Sequence, residues 1–92
     1  PAIIALIIEA LSDGGLSGGL PKILSEELVI EMIQGTISLI KENKLTTSEI
    51  KNLVTSPGGT TISALRVLEK KSVRSALIES IVSARNRSKD FH

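Results

Sequence analysis

Residues 2–11 read Ala-Ile-Ile-Ala-Leu-Ile-Ile-Glu-Ala-Leu, a run that is apolar on every side except at Glu9. A short apolar run can be a buried strand or a buried helix; the alanines and Glu9 favour the helix. It falls well short of the roughly 20 residues that span a bilayer. With Glu9 inside it and no basic leader before it, it does not read as a secretory signal. A helix that is apolar all round must be buried all round. The chain has 92 residues, and a domain of that size buries only about 60–65% of the surface its unfolded form exposes. Partly polar neighbours in one small chain cannot cover every face of such a helix. A second copy can, so a dimer is expected on physical grounds.

The rest of the chain reads as further helices. Gly14 and Gly18, and Gly15 and Gly19, are each four apart and share a helix face, which lets another helix approach closely. Gly14 and Gly15 fit inside the first helix, and Gly18-Gly19 fits its end. Pro21 suits the first position of a second helix, where its missing N–H costs nothing. Ile30, Ile33, Ile37 and Ile40 then step by three and four, with Leu24, Leu28 and Met32 widening the stripe, as far as residues 41–44. Thr46-Thr47-Ser48-Glu49 has the pattern of a capping box, in which Thr46 caps the helix and Glu49 reaches back. Ile50, Leu53 and Val54 form the apolar side of that short third helix. Pro57-Gly58-Gly59 breaks the chain. Thr60 or Thr61 starts a fourth helix, with Ile62, Leu65 and Leu68 on one side. Ser72 is placed to cap a fifth, which buries Val73, Leu77, Ile78, Ile81 and Val82, and residues 88–92 fray. The expected fold is all-α, with about five helices and no strand or internal repeat.

Composition narrows the chemistry. Phe91 is the only aromatic residue, so the expected core is aliphatic and base stacking is disfavoured. Residues 70–89 hold six basic residues against Glu79, but no recognition motif accompanies them; they read as a solvated helix face rather than a nucleic-acid contact. There is no cysteine, which excludes disulfides and thiol chemistry and fits a cytoplasmic setting. The one histidine, His92, is terminal, so neither a metal site nor a Ser-His-Asp triad is supported. Glu26, Glu27 and Glu31 read as a solvated face. The glycines near residue 15 lack the spacing and preceding strand of a dinucleotide fingerprint.

One segment has chemical promise. Residues 54–62 read Val-Thr-Ser-Pro-Gly-Gly-Thr-Thr-Ile, so four hydroxyl residues surround a Pro-Gly-Gly turn that runs into a helix. The first N–H groups of a helix suit a carboxylate or phosphate. The same residues also fit an ordinary interhelical loop with a threonine cap.

That segment resembles the signature of the pyrroline-5-carboxylate reductases. The similarity continues through Pro1-Ala2, Glu9-Ala10-Leu11-Ser12-Asp13-Gly14-Gly15, Gly19-Leu20-Pro21 and Arg74-Ser75-Ala76-Leu77. The resemblance implies an enzyme that reduces the ring imine of 1-pyrroline-5-carboxylate to proline with NADPH or NADH. It implies an N-terminal Rossmann domain that this chain lacks, so that residues 1–92 form a single helical dimerisation and substrate-binding domain that binds no cofactor alone. It further implies an interlaced homodimer, assembling up to a decamer, in the cytoplasm, with neither nucleic acid nor membrane as partner. Ser56, Gly58, Gly59 and Thr60 would contact the substrate carboxylate. Thr61 would belong to the same binding set and act as the catalytic hydroxyl near the imine nitrogen. Two features depart from the family pattern: Lys44-Leu45-Thr46-Thr47 replaces an acidic residue and His-Pro, and Ile3-Ile4 replaces an aromatic residue. A stand-alone oligomerisation module is the alternative.

Overall fold

In the computed structural model, which describes residues 1–53 and 59–89, the element order is α1 (Ala2–Ser17), α2 (Lys22–Lys41), α3 (Thr47–Leu53), α4 (Thr60–Lys70) and α5 (Val73–Lys89). The expected all-α class is observed, with no strand among the described residues. The chain divides into two units, Pro1–Lys51 and Asn52–His92.

In the first unit α1 packs on α2. The expected end of α1 is observed: Gly18 is the C-cap and Gly19 follows with φ +99°. The Leu20 N–H donates to the Gly15 carbonyl at 3.1 Å and the Gly19 N–H to the Leu16 carbonyl at 3.0 Å. This pair of bonds is the Schellman closure, and it needs the left-handed residue that glycine supplies without strain. Pro21 stands one position earlier than expected. With φ −60° and ψ 146° it is the N-cap of α2, and its carbonyl accepts the Ser25 N–H at 2.9 Å.

The two helices meet through small polar residues. Ser25 is 1% exposed and Ser12 is 6% exposed. The Ser25 hydroxyl donates to the Ser12 carbonyl at 2.7 Å, and the Ser12 hydroxyl donates back along α1 to the Ile8 carbonyl at 2.7 Å. Gly15 makes room for this contact: a Cβ there would overlap the Ser25 hydroxyl. The close approach expected at the Gly15 face is therefore present, while the space beside Gly14 is open.

The face of α2 used here differs from the stripe the sequence suggests. Ser25 is buried and Val29, Ile33, Thr36 and Ile40 are half-buried, whereas Leu24, Leu28, Ile30, Met32 and Ile37 stay exposed. Helix α2 is apolar over more than one face, and α1 takes the face where a serine permits the closest approach. Helix α1 likewise buries only Ser12, leaving Ile4 51% and Leu6 64% exposed. Among the described residues no hydrophobic side chain is fully buried. The aliphatic core expected from composition is not closed within the chain, because a pair of helices covers only one stripe of each member.

Helix α3 opens with the expected capping box. The Glu49 N–H donates to the Thr46 hydroxyl at 3.1 Å, and the Thr46 N–H donates to the Glu49 carboxylate at 3.0 Å. The Thr46 backbone bond, then its side-chain bond, holds the Glu49 carboxyl below the usual glutamate value. A depressed folded pKa means that this contribution is present above the unfolded pKa and is lost as pH falls through the folded one.

In the second unit α4 packs on α5. The Ser72 carbonyl accepts the Ala76 N–H at 2.9 Å, so Ser72 stands at the N-cap position of α5 with φ +62°. Leu65 and Val73 are half-buried, but Leu77, Ile78, Ile81 and Val82 are exposed rather than buried, again because one helix partner covers one stripe. Helix α5 runs through Lys89, so Ser88 and Lys89 are helical rather than frayed.

Gly15→Ala should lower stability. The Ser25 hydroxyl would have to rotate away and give up its bond, and the net cost should be about 1–2 kcal/mol after the helix-propensity gain of alanine. Urea unfolding at fixed chain concentration checks this. The cost should shrink in a Ser25→Gly background, since the two positions share one contact.

Candidate functional site

The N-terminus of α4 is the candidate site. The Gly59 carbonyl accepts the Ser63 N–H at 2.9 Å, which makes Gly59 the N-cap, with φ +71° and ψ 23°. No side chain caps this helix. The alternative of a threonine cap is thereby corrected: Thr60 and Thr61 are the first two helical residues, and the turn into the helix uses a left-handed residue. A non-glycine residue pays for that conformation, so glycine fits for a backbone reason.

The structure brings three of the expected site residues together. Gly59 and Thr61 are half-buried and Thr60 is exposed, all within the first turn. Ser56 and Gly58, with the rest of residues 54–58, lie outside the described residues. The N-terminal end of any α-helix presents N–H groups beyond the reach of its own carbonyls and carries a partial positive charge. The first turn of α4 contains no acidic residue that would offset that charge, and its basic Lys70 lies at the opposite end. Such an end accommodates an anion, and a carboxylate can accept from several N–H groups at once.

Elsewhere the candidate chemistry is sparse. Among the described residues no group of three or more histidine, cysteine, aspartate or glutamate side chains could hold a metal ion. Glu26, Glu27 and Glu31 are exposed, as a solvated face requires. In the basic segment Arg74 pairs with Glu69 at 3.2 Å on the surface, a contact of little energetic weight. No described helix is long and apolar enough to cross a membrane. The expectations that fell on His92 lie outside the described residues.

Sequence reasoning missed the pairing of Ser12 with Ser25. Its only signal was a serine in an apolar neighbourhood facing a helical glycine. It also missed Gly59 as the cap, although a glycine directly before a helix is a permitted N-cap.

Comparison with known proteins follows the same residues. The family description "Pyrroline-5-carboxylate reductase dimerisation" matches residues 1–91. The chain is 49% identical over 91 residues to the pyrroline-5-carboxylate reductase of Synechocystis, which covers 99% of this chain and 34% of that protein. It is 35% identical over 88 residues to the Escherichia coli protein of the same name, covering 96% of this chain and 33% of that one. A crystal structure of Plasmodium falciparum pyrroline carboxylate reductase with NADP bound superposes with a TM-score of 0.91 at 35% identity, over 97% of this chain and 34% of that chain. The chain thus spans about a third of the length of the relatives it matches.

Gly59→Ala should destabilise the second unit by about 1 kcal/mol, the cost of an L-residue in the left-handed region. A Cβ at Gly59 meets nothing within 4 Å, so the penalty is one of backbone conformation rather than of crowding. Gly59→Asn should cost less, because asparagine tolerates that region better. Thermal unfolding of the two variants distinguishes them, and an increase in stability with alanine would contradict the left-handed cap.

Proposed function

The chain belongs to the pyrroline-5-carboxylate reductase dimerisation family, and on that premise we propose that it is the helical half of an enzyme that reduces 1-pyrroline-5-carboxylate to L-proline. The observation that carries the proposal is the family match over residues 1–91, which includes the 54–62 segment. In this reading residues 1–92 act as one dimerisation and substrate-binding domain. The protein works as a homodimer that assembles further, up to a decamer.

NADPH or NADH is the reductant in this reading, and the solved Plasmodium relative carries NADP. The described residues do not fit such a cofactor. A dinucleotide needs a strand leading through a glycine turn into a helix, and the described residues include no strand. No step is therefore assigned to the cofactor here, and this chain alone should neither bind NADPH nor reduce the imine.

The role of this chain's own residues is to bind and orient substrate. Gly59 and Thr60, with Ser56 and Gly58 from the segment before them, receive the carboxylate through backbone N–H groups at the positive end of α4. A planar carboxylate fixed there sets the direction of the attached ring. Thr61, one residue further into the helix, places its hydroxyl toward the imine nitrogen. There it orients the ring and donates a hydrogen bond to the atom whose basicity rises as the double bond is reduced. The support for these roles is the resemblance of the segment together with the helix terminus that Gly59 creates.

Steady-state kinetics on the full-length enzyme, with cofactor saturating, tests this. Thr61→Ala should lower kcat about ten- to a hundredfold while changing KM less, because the lost bond acts at the reacting end, at roughly 1–3 kcal/mol. Thr61→Ser should be mild, and Gly59→Val should raise KM by crowding the backbone donors. Full turnover in a folded Thr61→Ala enzyme would remove the assigned role.

A further inference from the structure

Gly35 stands in the interior of the 20-residue helix α2, where glycine costs about 0.5–1 kcal/mol relative to alanine. Neither of the usual reasons for such a residue applies. Its φ is not in the left-handed region, unlike Gly19 and Gly59. A Cβ added to it would meet nothing within 4 Å, unlike Gly15, whose missing side chain accommodates Ser25. Gly14 shares the open surroundings, but it lies in the last turn of α1 beside the cap, where a glycine is ordinary. Gly35 is therefore a helix-interior glycine that nothing within the described chain requires.

Its neighbours on the helix surface are apolar. Leu28, Met32, Gly35 and Leu39 follow one another at steps of four, three and four, so they share a flank. Leu28 and Met32 are about half exposed, at 47% and 53%. Glu27, Glu31 and Gln34 lie to the polar side of that flank, and the Ser25 face that meets α1 lies to the other. A neutral flank with a notch at its centre is the surface on which another helix can come closest.

We propose that this flank of α2 receives a helix of a second copy of the chain, with Gly35 as the point of closest approach. The inference rests on the dimerisation reading, which supplies the occupant: the matched family is one of dimerisation, and the unit holding Gly35 closes no apolar core of its own among the described residues. It goes beyond that reading by naming the surface and the residue on which association turns.

The test exploits a difference in sign. In an isolated chain Gly35→Ala can only help, since it favours the helix and meets open space. Across a close helix contact the same methyl group must intrude. Analytical ultracentrifugation of the 92-residue chain from nanomolar to micromolar concentration, with circular dichroism and thermal unfolding alongside, reads both effects. Gly35→Ala, and Gly35→Ser as a second variant, should retain helicity and raise the dimer Kd about tenfold or more. Gln34→Ala, on the polar side, should leave the Kd essentially unchanged. An unchanged Kd with a higher Tm would overturn the inference and leave the dimerisation reading intact. An unchanged Kd with a lower Tm would also overturn it, placing the chain's own second unit against Gly35. A wild-type chain that stays monomeric at micromolar concentration would overturn both.

Discussion

Ser25 seats α2 against α1 in the notch left by Gly15, and this contact decides which surfaces of both helices remain for anything else. The bond from its hydroxyl to the Ser12 carbonyl is buried, so it carries more weight than its length alone suggests: an unpaired carbonyl there would lose its partner without gaining water. Once the two helices are joined along this polar seam, their leucines, isoleucines and Met32 lie on the other faces. The chain is thus an unusual case in which close packing between helices is achieved without closing a hydrophobic core. Association completes what a two-helix contact leaves open, in the way an obligate interface resembles a core divided in half.

Several elements could be read directly from the sequence because their causes are local. The Thr46–Glu49 box needs only two side chains three residues apart, and it forms as written. The end of α1 needs a glycine where the chain turns left-handed, and Gly19 supplies it. The choice of face on α2 was not local. Ile30 and Ile37 gave the stronger apolar stripe, but hydrophobicity alone does not distinguish a face that packs inside the chain from one that waits for a partner. Steric fit made the choice, through a serine and a glycine whose small size counted more than their polarity. The same limit applied to α5, where Leu77, Ile78 and Ile81 read as core and stand exposed.

At the site, the sequence pointed to the right helix end and to the wrong cap. Threonine is the commoner capping residue, but Gly59 takes the position with a left-handed φ, and Thr60 and Thr61 move into the first turn. That shift matters chemically. A threonine side chain used as a cap would occupy the helix end, whereas a glycine cap leaves the terminus to backbone N–H groups and carries no Cβ to obstruct an incoming carboxylate. The family resemblance and the helix geometry thus agree on where an anion belongs, and they reach it from independent premises.

Everything in this account descends from apolar helix faces that one chain cannot cover. Sedimentation equilibrium of the isolated 92-residue chain at micromolar concentration measures that directly. The account predicts a single helical species with twice the chain mass, dissociating only on dilution and losing thermal stability as it does. A compact, stably folded monomer over the same range would contradict it.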